Sequence, residues 1–551
     1  MTERIIRSKW VHLLALTAVL LALSGLMGSS HTYFSSDVGL RFLQARELVA
    51  NRWQTLAVTY PAQAFDPNFQ FVPYYYAWSL LDGRIYFDIT PFFPLLLSFF
   101  YALTGPDSVI IVPVLGGVLT AAAIYVLART AGLQRSLLAM WLTVFATPLL
   151  FYSLELWDHS WAAACAAWAV TGVAVGLQRG TWPPFFWAGA AAGVGLGQRP
   201  EMYVFAIALG VGLLVVNWRW LPALALGGLA GALPVWLLQW RWVGHPLGLA
   251  MAPHLLGYGR PENLPDAYSS VTIPPVLRVS RLLFWVNFHE PATFAALLLT
   301  AVGIGLIVLT VRLPHWRRPF GLWVGLASMA AAYSLLIWYA GPKPIHGLIS
   351  VMPLVALSLV IANGGDIYRL ALITTLVFIG LMLALWPAFG GDQWGARYLL
   401  PAVPLLVFLA FFAWTAYDEI LTGKMKRAWD VTVICLLALS VMMQLAGLRA
   451  QWQRHQAQAA LRDSVSRLTA EVVLTNSFSL PAHMASLPDK QFIYVGDEAA
   501  VSVVVPRLAA GGIRQVALVP EKYLSPFVMP ERVGEWKLVE IAPFTYEIVR
   551  D

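Results

Sequence analysis

The sequence has few charged residues and almost no cysteine. Charged side chains make up 12% of the 551 residues, about half of the roughly 25% that is typical of soluble domains. Hydrophobic residues make up 59%, so a water-soluble protein of this length would have too little charge to cover its surface. The two cysteines, Cys165 and Cys435, lie in separate apolar runs, which argues against a disulfide framework, a zinc site or a thiol nucleophile. The composition predicts a polytopic membrane protein.

Two further features limit the function. The long apolar runs contain almost no ionisable residue in their interiors, whereas ion pumps and proton-coupled carriers need such groups near the bilayer midplane. The net charge of +7 comes from Lys and Arg that cluster in short loops, which is typical of cytoplasmic loops and gives no reason to expect a nucleic-acid partner. Gly193-Val-Gly-Leu-Gly197 lies in an apolar run and indicates close helix packing instead of a nucleotide loop. Any chemistry is therefore expected at the outer membrane surface.

The apolar runs predict a mostly α-helical bundle of about thirteen membrane-spanning helices. The basic short loops fall on the side of the N-terminus if the short run 91–103 lies at the interface, and the positive-inside rule favours that choice. The N-terminus is then cytoplasmic, and the long segments 28–107, 241–290 and 450–551 are extracytoplasmic, in a multi-pass protein of the cytoplasmic (inner) membrane. The predicted spans lie near 10–27, 108–128, 137–154, 159–177, 184–197, 202–216, 221–240, 291–311, 320–340, 346–362, 369–388, 398–416 and 430–448.

The C-terminal tail differs from the rest of the chain. Charges become frequent after Arg449, and short β-branched runs alternate with helical stretches, which predicts a small extracytoplasmic α/β domain over 450–551. Residues 1–449 are predicted to form the transmembrane domain, with 28–107 as its first outer loop and with interfacial helices in that loop. The predicted strands of the tail are 471–476, 491–495, 515–519 and 544–549, and the predicted helices are 451–470 and 499–510.

Carboxylates near two span ends are candidates for catalysis. Asp37 follows the first span at the start of an amphipathic helix, where Ser and Asp usually act as N-caps, but a carboxylate held at a membrane surface also suits a general base. Glu155, Asp158 and His159 lie between the third and fourth predicted long spans. They are either polar residues of an outer turn or a second acidic site that binds a sugar hydroxyl. Asp37 and Asp158 together would suit a divalent cation, so metal dependence stays open.

Aromatic and basic residues complete the candidate site. Aromatic residues at a membrane face usually form an interfacial belt, but they also suit contacts with a sugar or an isoprenoid chain. Lys343 and Arg397 lie on the side that positive charge normally avoids, either as snorkelling side chains or as ligands of a lipid phosphate. The residues predicted to contact substrate are Tyr74, Tyr75, Trp78, Asp88, His159 and Trp394.

Three short motifs occur together with a characteristic order of segments. An Asp follows the first span, a long first outer loop and an acidic second loop come next, and an outer domain ends the chain. The motifs are Asp82-Gly-Arg-Ile-Tyr86, Gln198-Arg-Pro-Glu201 and Gly395-Ala-Arg-Tyr-Leu-Leu-Pro401. This combination resembles the GT-C superfamily of membrane glycosyltransferases, most closely the family 39-like branch that includes protein mannosyltransferases and aminoarabinose transferases.

The resemblance implies a specific reaction. Enzymes of this type take a sugar from a polyprenyl-phosphate carrier at the outer leaflet and pass it, usually with inversion, to an acceptor hydroxyl. By position, Asp37 matches the catalytic aspartate of the first loop, and Asp158 or Glu155 matches the acid of the second. Arg397 matches the arginine near the lipid phosphate. The departing phosphate needs stabilising cations and no proton, so a single base for the acceptor hydroxyl is sufficient.

The chain departs from the family at one position. Many relatives have a lysine before the Pro-rich helix, where this chain has Asp88, so Lys343 or Arg84 is expected to take over the phosphate contact. The expected partners are the lipid-linked donor, membrane lipids and an acceptor that is a glycan, a lipid or a protein of the cell envelope. No nucleic acid is expected, and no cofactor besides the open question of a divalent metal.

Three other functions are compatible with a protein of this composition. A transporter or flippase for lipid-linked sugars predicts internal repeats and polar groups at the midplane, and the sequence has neither. A non-catalytic membrane scaffold predicts that the outer carboxylates are replaceable. A polymer ligase that uses a pyrophosphate-linked donor predicts more arginines in the outer loops than this chain has. The glycosyltransferase interpretation therefore agrees best with the sequence.

Overall fold

The computed structural model describes most of the chain, including all candidate site residues except Tyr75. The described residues are 8–28, 30–74, 78–252, 274–286, 290–341, 343–386, 390–391, 393–520 and 529–551. They are mostly α-helical, with a two-stranded sheet and a six-stranded sheet. The predicted combination of a helical bundle with a C-terminal sheet domain is confirmed.

Nine helical segments in the described ranges are long and apolar enough to cross a bilayer, so the protein is a multi-pass membrane protein. One of these segments, Glu201–Val243, contains two consecutive helices. The α-helices, numbered here in chain order, are α1 Lys9–Met27, α2 Ser36–Ala50, α3 Phe92–Thr104, α4 Ile111–Thr130, α5 Ser136–Phe145, α6 Leu149–Ser153, α7 His159–Arg179, α8 Trp182–Leu196, α9 Glu201–Asn217, α10 Leu221–Val243, α11 Pro275–Leu283, α12 Pro291–Arg312, α13 Pro319–Ala340, α14 Leu348–Val351, α15 Val355–Ser358, α16 Asp366–Leu385, α17 Val403–Ile420, α18 Gly423–Ser466, α19 Leu480–His483 and α20 Glu498–Ala510.

The predicted count of thirteen spans is not confirmed, because the described ranges contain nine long apolar segments. The runs near 202–216 and 221–240 fall in one of these segments, and the run near 184–197 forms a helix of only 15 residues. Prolines interrupt two further runs. The run near 137–154 forms α5 and α6 with Pro148 between them, and the run near 346–362 forms α14 and α15 around Pro353. Met352 has φ −135° and ψ 72°, which lies outside the α-helical region that the ring of a following proline disfavours. Apolar composition alone therefore overestimated the length of these helices.

The C-terminal sheet combines parallel and antiparallel pairs. Its strands are β3 Val472–Thr475, β4 Gln491–Tyr494, β5 Gln515–Leu518, β6 Arg532–Val533, β7 Trp536–Ala542 and β8 Thr545–Arg550, in the order β4-β3-β5-β8-β7-β6. The pairs β3–β4 and β3–β5 are parallel and the others are antiparallel. The sequence predicted four of these strands, but not β6 and β7. The sequence of β7, Trp536-Lys-Leu-Val-Glu-Ile-Ala542, has two adjacent apolar residues at its centre and at its end, so it lacks the strict alternation of apolar and polar residues that would indicate a strand.

The contacts divide the chain into two compact units. We call Met1–Met27, Ile110–Trp240 and Ser269–Gln453 the helical unit, and we call Gly28–Val109, Arg241–Tyr268 and Arg454–Asp551 the mixed unit. The first outer loop and the C-terminal sheet thus belong to one unit, although more than 340 residues separate them along the chain. Each unit contains some of the residues that the sequence marked as candidates.

A short hairpin in the mixed unit orients part of the first loop. The strands β1 Trp78–Leu81 and β2 Arg84–Phe87 pair antiparallel, and Leu81 is opposite Arg84. The two residues that connect them, Asp82 and Gly83, have φ values of 49° and 69°. Asp-Gly is the dipeptide that such two-residue turns prefer, because both positions need a positive φ. The motif at residues 82–86 is therefore a β-turn and the strand that follows it.

Candidate active site

A buried ion-pair cluster joins two helix starts in the helical unit. Asp158 precedes α7, and Arg199 lies two residues before Glu201, the first residue of α9. Arg199 Nη1 lies 3.2 Å from Asp158 Oδ1, and Arg199 Nε lies 2.9 Å from Glu201 Oε1. Both carboxylates are fully buried and the Arg199 side chain is 10% exposed. Charges so far from water are costly unless they are paired, and here one guanidinium bridges two carboxylates.

The electrostatics of Arg199 reflect this pairing. Burial by itself lowers the pKa of Arg199, but Asp158 and Glu201 raise it, and the result is a pKa above the usual range for arginine. The guanidinium is therefore a permanent cation. Glu201 Oε2 is buried and has no hydrogen-bond partner among the described residues. This oxygen is suited to accept a hydrogen bond from a bound hydroxyl group.

The other two predicted residues of the second outer loop lie in the same region of the helical unit. Gln451 Nε2 donates to Glu155 Oε1 at 2.7 Å, and both side chains are fully buried. His159 Nδ1 lies 3.8 Å from Glu201 Oε1, and His159 is also fully buried. Sequence position grouped Glu155, Asp158 and His159, and the structure adds Arg199, Glu201 and Gln451 to the group.

Arg397 reaches this cluster through aromatic rings. Its guanidinium lies 5.2 Å from the ring centre of Trp157 and 5.0 Å from that of Tyr398, and Nη2 donates to Tyr398 Oη at 3.1 Å. The guanidinium of Arg199 lies 5.7 Å from the same Tyr398 ring. Stacking on aromatic faces is a property of arginine that lysine does not share to the same degree. Two cations thus flank one tyrosine.

Trp394 is placed as a structural residue of this region. Its side chain is 1% exposed, and Nε1 donates to Gln444 Oε1 at 3.1 Å. Its backbone carbonyl accepts a hydrogen bond from Tyr152 Oη at 3.0 Å. Trp394 was predicted to contact substrate from its position in an outer loop. Nothing tests that role here, and it stays a prediction.

Lys343 lines a separate small cavity in the helical unit. The cavity has a volume of about 230 Å³, which corresponds to the space of several water molecules at about 30 Å³ each. Three basic side chains and two aromatic rings supply most of its wall. The lining residues are Arg281, Trp285, Val286, Tyr339, Lys343 and His346. A cavity with this lining suits a phosphate or another small anion.

The loop of this cavity is joined to the loop that carries Arg397. Gly395 N donates to Ile345 O at 2.8 Å, and His346 pairs with Gly395 in a parallel β-bridge. Gly395 has φ +70°, and an added Cβ would lie 2.8 Å from Val351 and 3.0 Å from Pro148. Glycine is therefore needed both for the backbone conformation and for the close approach. The structure thus brings together the two basic loops that the sequence marked separately.

Asp37 lies in the first turn of α2 in the mixed unit. The N-cap position is taken by Ser35, so the expectation that Asp37 caps this helix is wrong by two positions. Asp37 as a residue is half-buried, and its backbone carbonyl accepts a hydrogen bond from Arg41 Nη1 at 2.7 Å. A negative charge in the first helical turn is stabilised by the helix dipole.

The remaining first-loop candidates differ in exposure. Tyr74 and Trp78 are buried, and burial raises the pKa of Tyr74 to about 12, so its hydroxyl stays protonated. Asp88 accepts a hydrogen bond from Ser79 Oγ at 2.6 Å. Arg84 is exposed beside the hairpin turn. Tyr75 lies outside the described residues.

Three residues of these sites were not predicted from the sequence: Arg199, Glu201 and Arg281. The motif Gln198-Arg-Pro-Glu201 had contributed to the family resemblance, but its charges were not assigned a role. Ionisable residues between two apolar runs are a recognisable functional feature, and that feature would have selected Arg199 and Glu201. Arg281 lies in the short helix α11, where the sequence has no comparable motif.

A metal site was left open by the sequence and can be examined in the described part of the chain. Among the described residues, no three His, Cys, Asp or Glu side chains come together as metal ligands. Asp158, one of the two predicted metal-binding carboxylates, is instead paired with Arg199.

Comparisons with known proteins support the fold inferred from the sequence. No protein-family model matches the chain, and no curated protein sequence matches it. The structure of ArnT from Cupriavidus metallidurans in the apo state is 14% identical, covers 98% of this chain and 97% of its own, and has a TM-score of 0.50. The chain has the fold of the apo ArnT structure.

Two further solved structures are similar over most of the chain. ArnT from Cupriavidus metallidurans bound to undecaprenyl phosphate is 14% identical and covers 98% of both chains, with a TM-score of 0.47. The Archaeoglobus fulgidus oligosaccharyltransferase in the apo form is 14% identical and covers 93% of this chain and 70% of its own, with a TM-score of 0.44.

Proposed function

We propose that this protein is a membrane glycosyltransferase that moves a sugar from a polyprenyl-phosphate donor to an acceptor hydroxyl, with inversion, at the outer face of the cytoplasmic membrane. The observation that carries the proposal is the buried Arg199 cluster with Arg397 beside it, in a chain that has the fold of the apo ArnT structure. Membrane proteins bury such charges where they serve binding or catalysis.

The donor is held through its phosphate. The phosphate leaves with a negative charge, so preorganised cations lower the barrier by stabilising charge that grows in the transition state. We assign the phosphate to the cavity of Lys343, Arg281 and His346. Arg397, whose loop is hydrogen-bonded to the loop of the cavity through Gly395, supplies a further cation. Arg84, the third candidate for this role, is exposed, and no contact supports it.

The acceptor is activated by a single base. Asp37 takes the proton of the acceptor hydroxyl as the oxygen attacks the anomeric carbon, and the bond from that carbon to the phosphate oxygen breaks on the opposite face. The assignment rests on its position after the first span and on its half-buried place in the first turn of α2. Asp158 and Glu155 do not act as bases in this proposal. Their carboxylates accept hydrogen bonds from Arg199 and Gln451, and their role is to hold these two side chains in place.

The experiment uses full-length protein in lipid vesicles, a panel of labelled polyprenyl-phosphate sugars and a panel of hydroxyl-bearing acceptors that covers glycans, lipids and peptides. Release of free polyprenyl phosphate is measured for the wild type and for Asp37→Asn, each with and without a chelator, and donor binding is measured in parallel. We expect turnover by the wild type, loss of turnover in Asp37→Asn and unchanged donor binding. Movement of the lipid-linked sugar between leaflets without its cleavage would instead identify a flippase. Equal turnover in the variant would remove Asp37 as the base.

A further inference from the structure

A run of residues directly before Asp37 is held by side chains from the C-terminal part of the chain. We call residues 31–37 the Asp37 strap; all contacts described here lie within the mixed unit. Four consecutive strap residues each receive such a contact. The contacts are Ser486 Oγ to His31 O at 3.1 Å, His455 Nδ1 to Thr32 Oγ1 at 2.7 Å, His483 Nδ1 to Tyr33 O at 3.2 Å and Arg454 Nε to Phe34 O at 3.3 Å.

The hydrogen bond between Thr32 and His455 has a defined direction. Thr32 Oγ1 donates its single hydrogen to Gly28 O at 2.9 Å, and a hydroxyl has only one hydrogen to donate. His455 Nδ1 must therefore carry a proton and donate to Thr32 Oγ1. Both side chains are buried, where the loss of one partner leaves the other unsatisfied. The hydrogen bond from His455 therefore restrains the position of the Thr32 side chain.

His483 acts in the same way on the next residue. It is the last residue of α19 and is 6% exposed. The carbonyl of Tyr33 can only accept, so Nδ1 of His483 donates to it. Burial and the nearby Arg454 lower the pKa of His483 to about 4, so the ring is neutral at neutral pH and this hydrogen bond does not depend on a charge.

The helix that follows the strap is held against the same part of the chain. An added Cβ at Gly39 would lie 1.9 Å from the carbonyl oxygen of Ala482 in α19, so α2 and α19 touch at backbone distance. Near the other end of α2, Arg46 Nη1 donates to Ala485 O at 3.1 Å. Asp37 thus lies between a clamped strap and a clamped helix. Its backbone has little freedom to move relative to the C-terminal domain.

We propose that Arg454, His455 and His483 are positioning residues that hold the carboxylate of Asp37 in the orientation required for deprotonation of the acceptor. This inference rests on the proposed function, in which Asp37 is the base. In this proposal the C-terminal domain fixes the orientation of the Asp37 side chain, although the two are far apart in the sequence. A base displaced by about 1 Å is expected to slow the reaction about 100-fold.

The experiment compares two substitutions at His483 with a control. His483→Leu removes the donor, whereas His483→Asn retains an N–H group near the position of Nδ1. The control is Lys490→Met, because Lys490 donates to Leu468 O and Ala470 O of the same unit and not to the strap. For each variant, kcat for transfer, Kd for the donor, the melting temperature and the amide exchange of residues 31–37 are measured.

We expect His483→Leu to lower kcat about 10- to 100-fold, with unchanged donor Kd and faster exchange of the strap amides. His483→Asn should restore most of kcat, and Lys490→Met should lower the melting temperature without a comparable loss of kcat. A double-mutant cycle with Asp37→Glu adds a test that loss of stability alone does not satisfy. Because that variant already misplaces the base, adding His483→Leu should cost little more, so the two effects should not add.

The outcomes separate the two proposals. Absence of turnover by the wild type with every donor would contradict the proposed function, whatever the strap does. Turnover by the wild type with additive effects of Asp37→Glu and His483→Leu would overturn the positioning role and leave the function intact. A loss of kcat in Lys490→Met as large as in His483→Leu would also overturn it, because general destabilisation of the domain would then be sufficient.

Discussion

The guanidinium of Arg199 lies 3.2 Å from the carboxylate of Asp158, 41 residues earlier in the chain. The same guanidinium donates to Glu201 at 2.9 Å, so one cation joins the start of α7 to the start of α9. The sequence around each helix start does not reveal the pairing, because Asp158 lies before α7 whereas Arg199 and Glu201 lie at the start of α9. The cluster is the clearest example in this protein of polar residues that only tertiary structure brings together.

Replacing Arg199 is expected to destabilise the fold strongly. Arg199→Met leaves Asp158 and Glu201 buried without their partner, and removal of one member of a buried pair typically costs about 3–5 kcal/mol. The measurement is the unfolding transition of purified protein in detergent, followed by tryptophan fluorescence. The triple variant Asp158→Asn, Arg199→Met, Glu201→Gln should recover part of the loss, because it removes all three charges. An Arg199→Met transition identical to that of the wild type would contradict the ion-pair assignment.

Replacing Lys343 is expected to weaken donor binding. A hydrogen bond to a charged group contributes about 1.5–3 kcal/mol, so Lys343→Met should raise the Kd for a polyprenyl phosphate about 10- to 100-fold, and more at low salt than at high salt. Lys424→Met is the control, because Lys424 is an exposed lysine outside the cavity. Equal affinity of the two variants would place the phosphate elsewhere, with Arg397 as the next residue to test.

His483 is expected to make the protein less stable in mild acid. Its pKa is lowered from 6.5 to about 4, mainly by burial and also by Arg454, while the Tyr33 carbonyl acts in the opposite direction. Between these two pH values the unfolded chain binds the proton and the folded protein does not, so stability falls as the pH falls from 6.5 to 4. The shift corresponds to about 3 kcal/mol over this window, and the effect is absent above about pH 7.

The measurement for His483 is the difference in unfolding free energy between the wild type and His483→Asn at pH 7, 6, 5 and 4. Other groups contribute equally to both proteins, so the difference isolates the histidine. The wild type should lose stability relative to the variant across the window. Parallel pH profiles would mean that His483 is accessible to protons in the folded state.

The close packing of α2 at Gly39 can be tested by replacing this glycine with alanine. The same substitution at Gly210, a helical glycine with open space around it, is the control. Gly39→Ala places a Cβ at 1.9 Å from Ala482 O, whereas an added Cβ at Gly210 in α9 has nothing within 4 Å. Gly39→Ala should therefore destabilise the protein by a few kcal/mol through overpacking. Gly210→Ala should stabilise it by about 0.5–1 kcal/mol, because alanine loses less conformational freedom in a helix. Similar melting temperatures for both variants would show that α2 moves away from α19 at little cost.

The local regularities of this protein were readable from its sequence. The long apolar helices follow from apolar composition over about twenty residues, which is the length that a bilayer requires. The strands β3, β4 and β5 follow from short β-branched runs. The hairpin at Asp82-Gly83 is equally local and would have been predicted from the preference of that dipeptide for positive φ. The runs around Pro148 and Pro353 show the limit of composition as a guide. Both runs are apolar enough to predict a span, but each forms two short helices on either side of its proline.

What the sequence by itself determined is the class of the protein, its main helices and the residue types that its chemistry needs. Composition and periodicity act over a few turns of helix, so they predict elements and not their partners. Only the tertiary structure decided that Arg199 pairs with Asp158, that the Lys343 loop joins the Arg397 loop, and that His455 holds Thr32 across 423 residues. Such contacts depend on which polar groups become buried together, and each buried group must then find its partner from whatever part of the chain lies beside it.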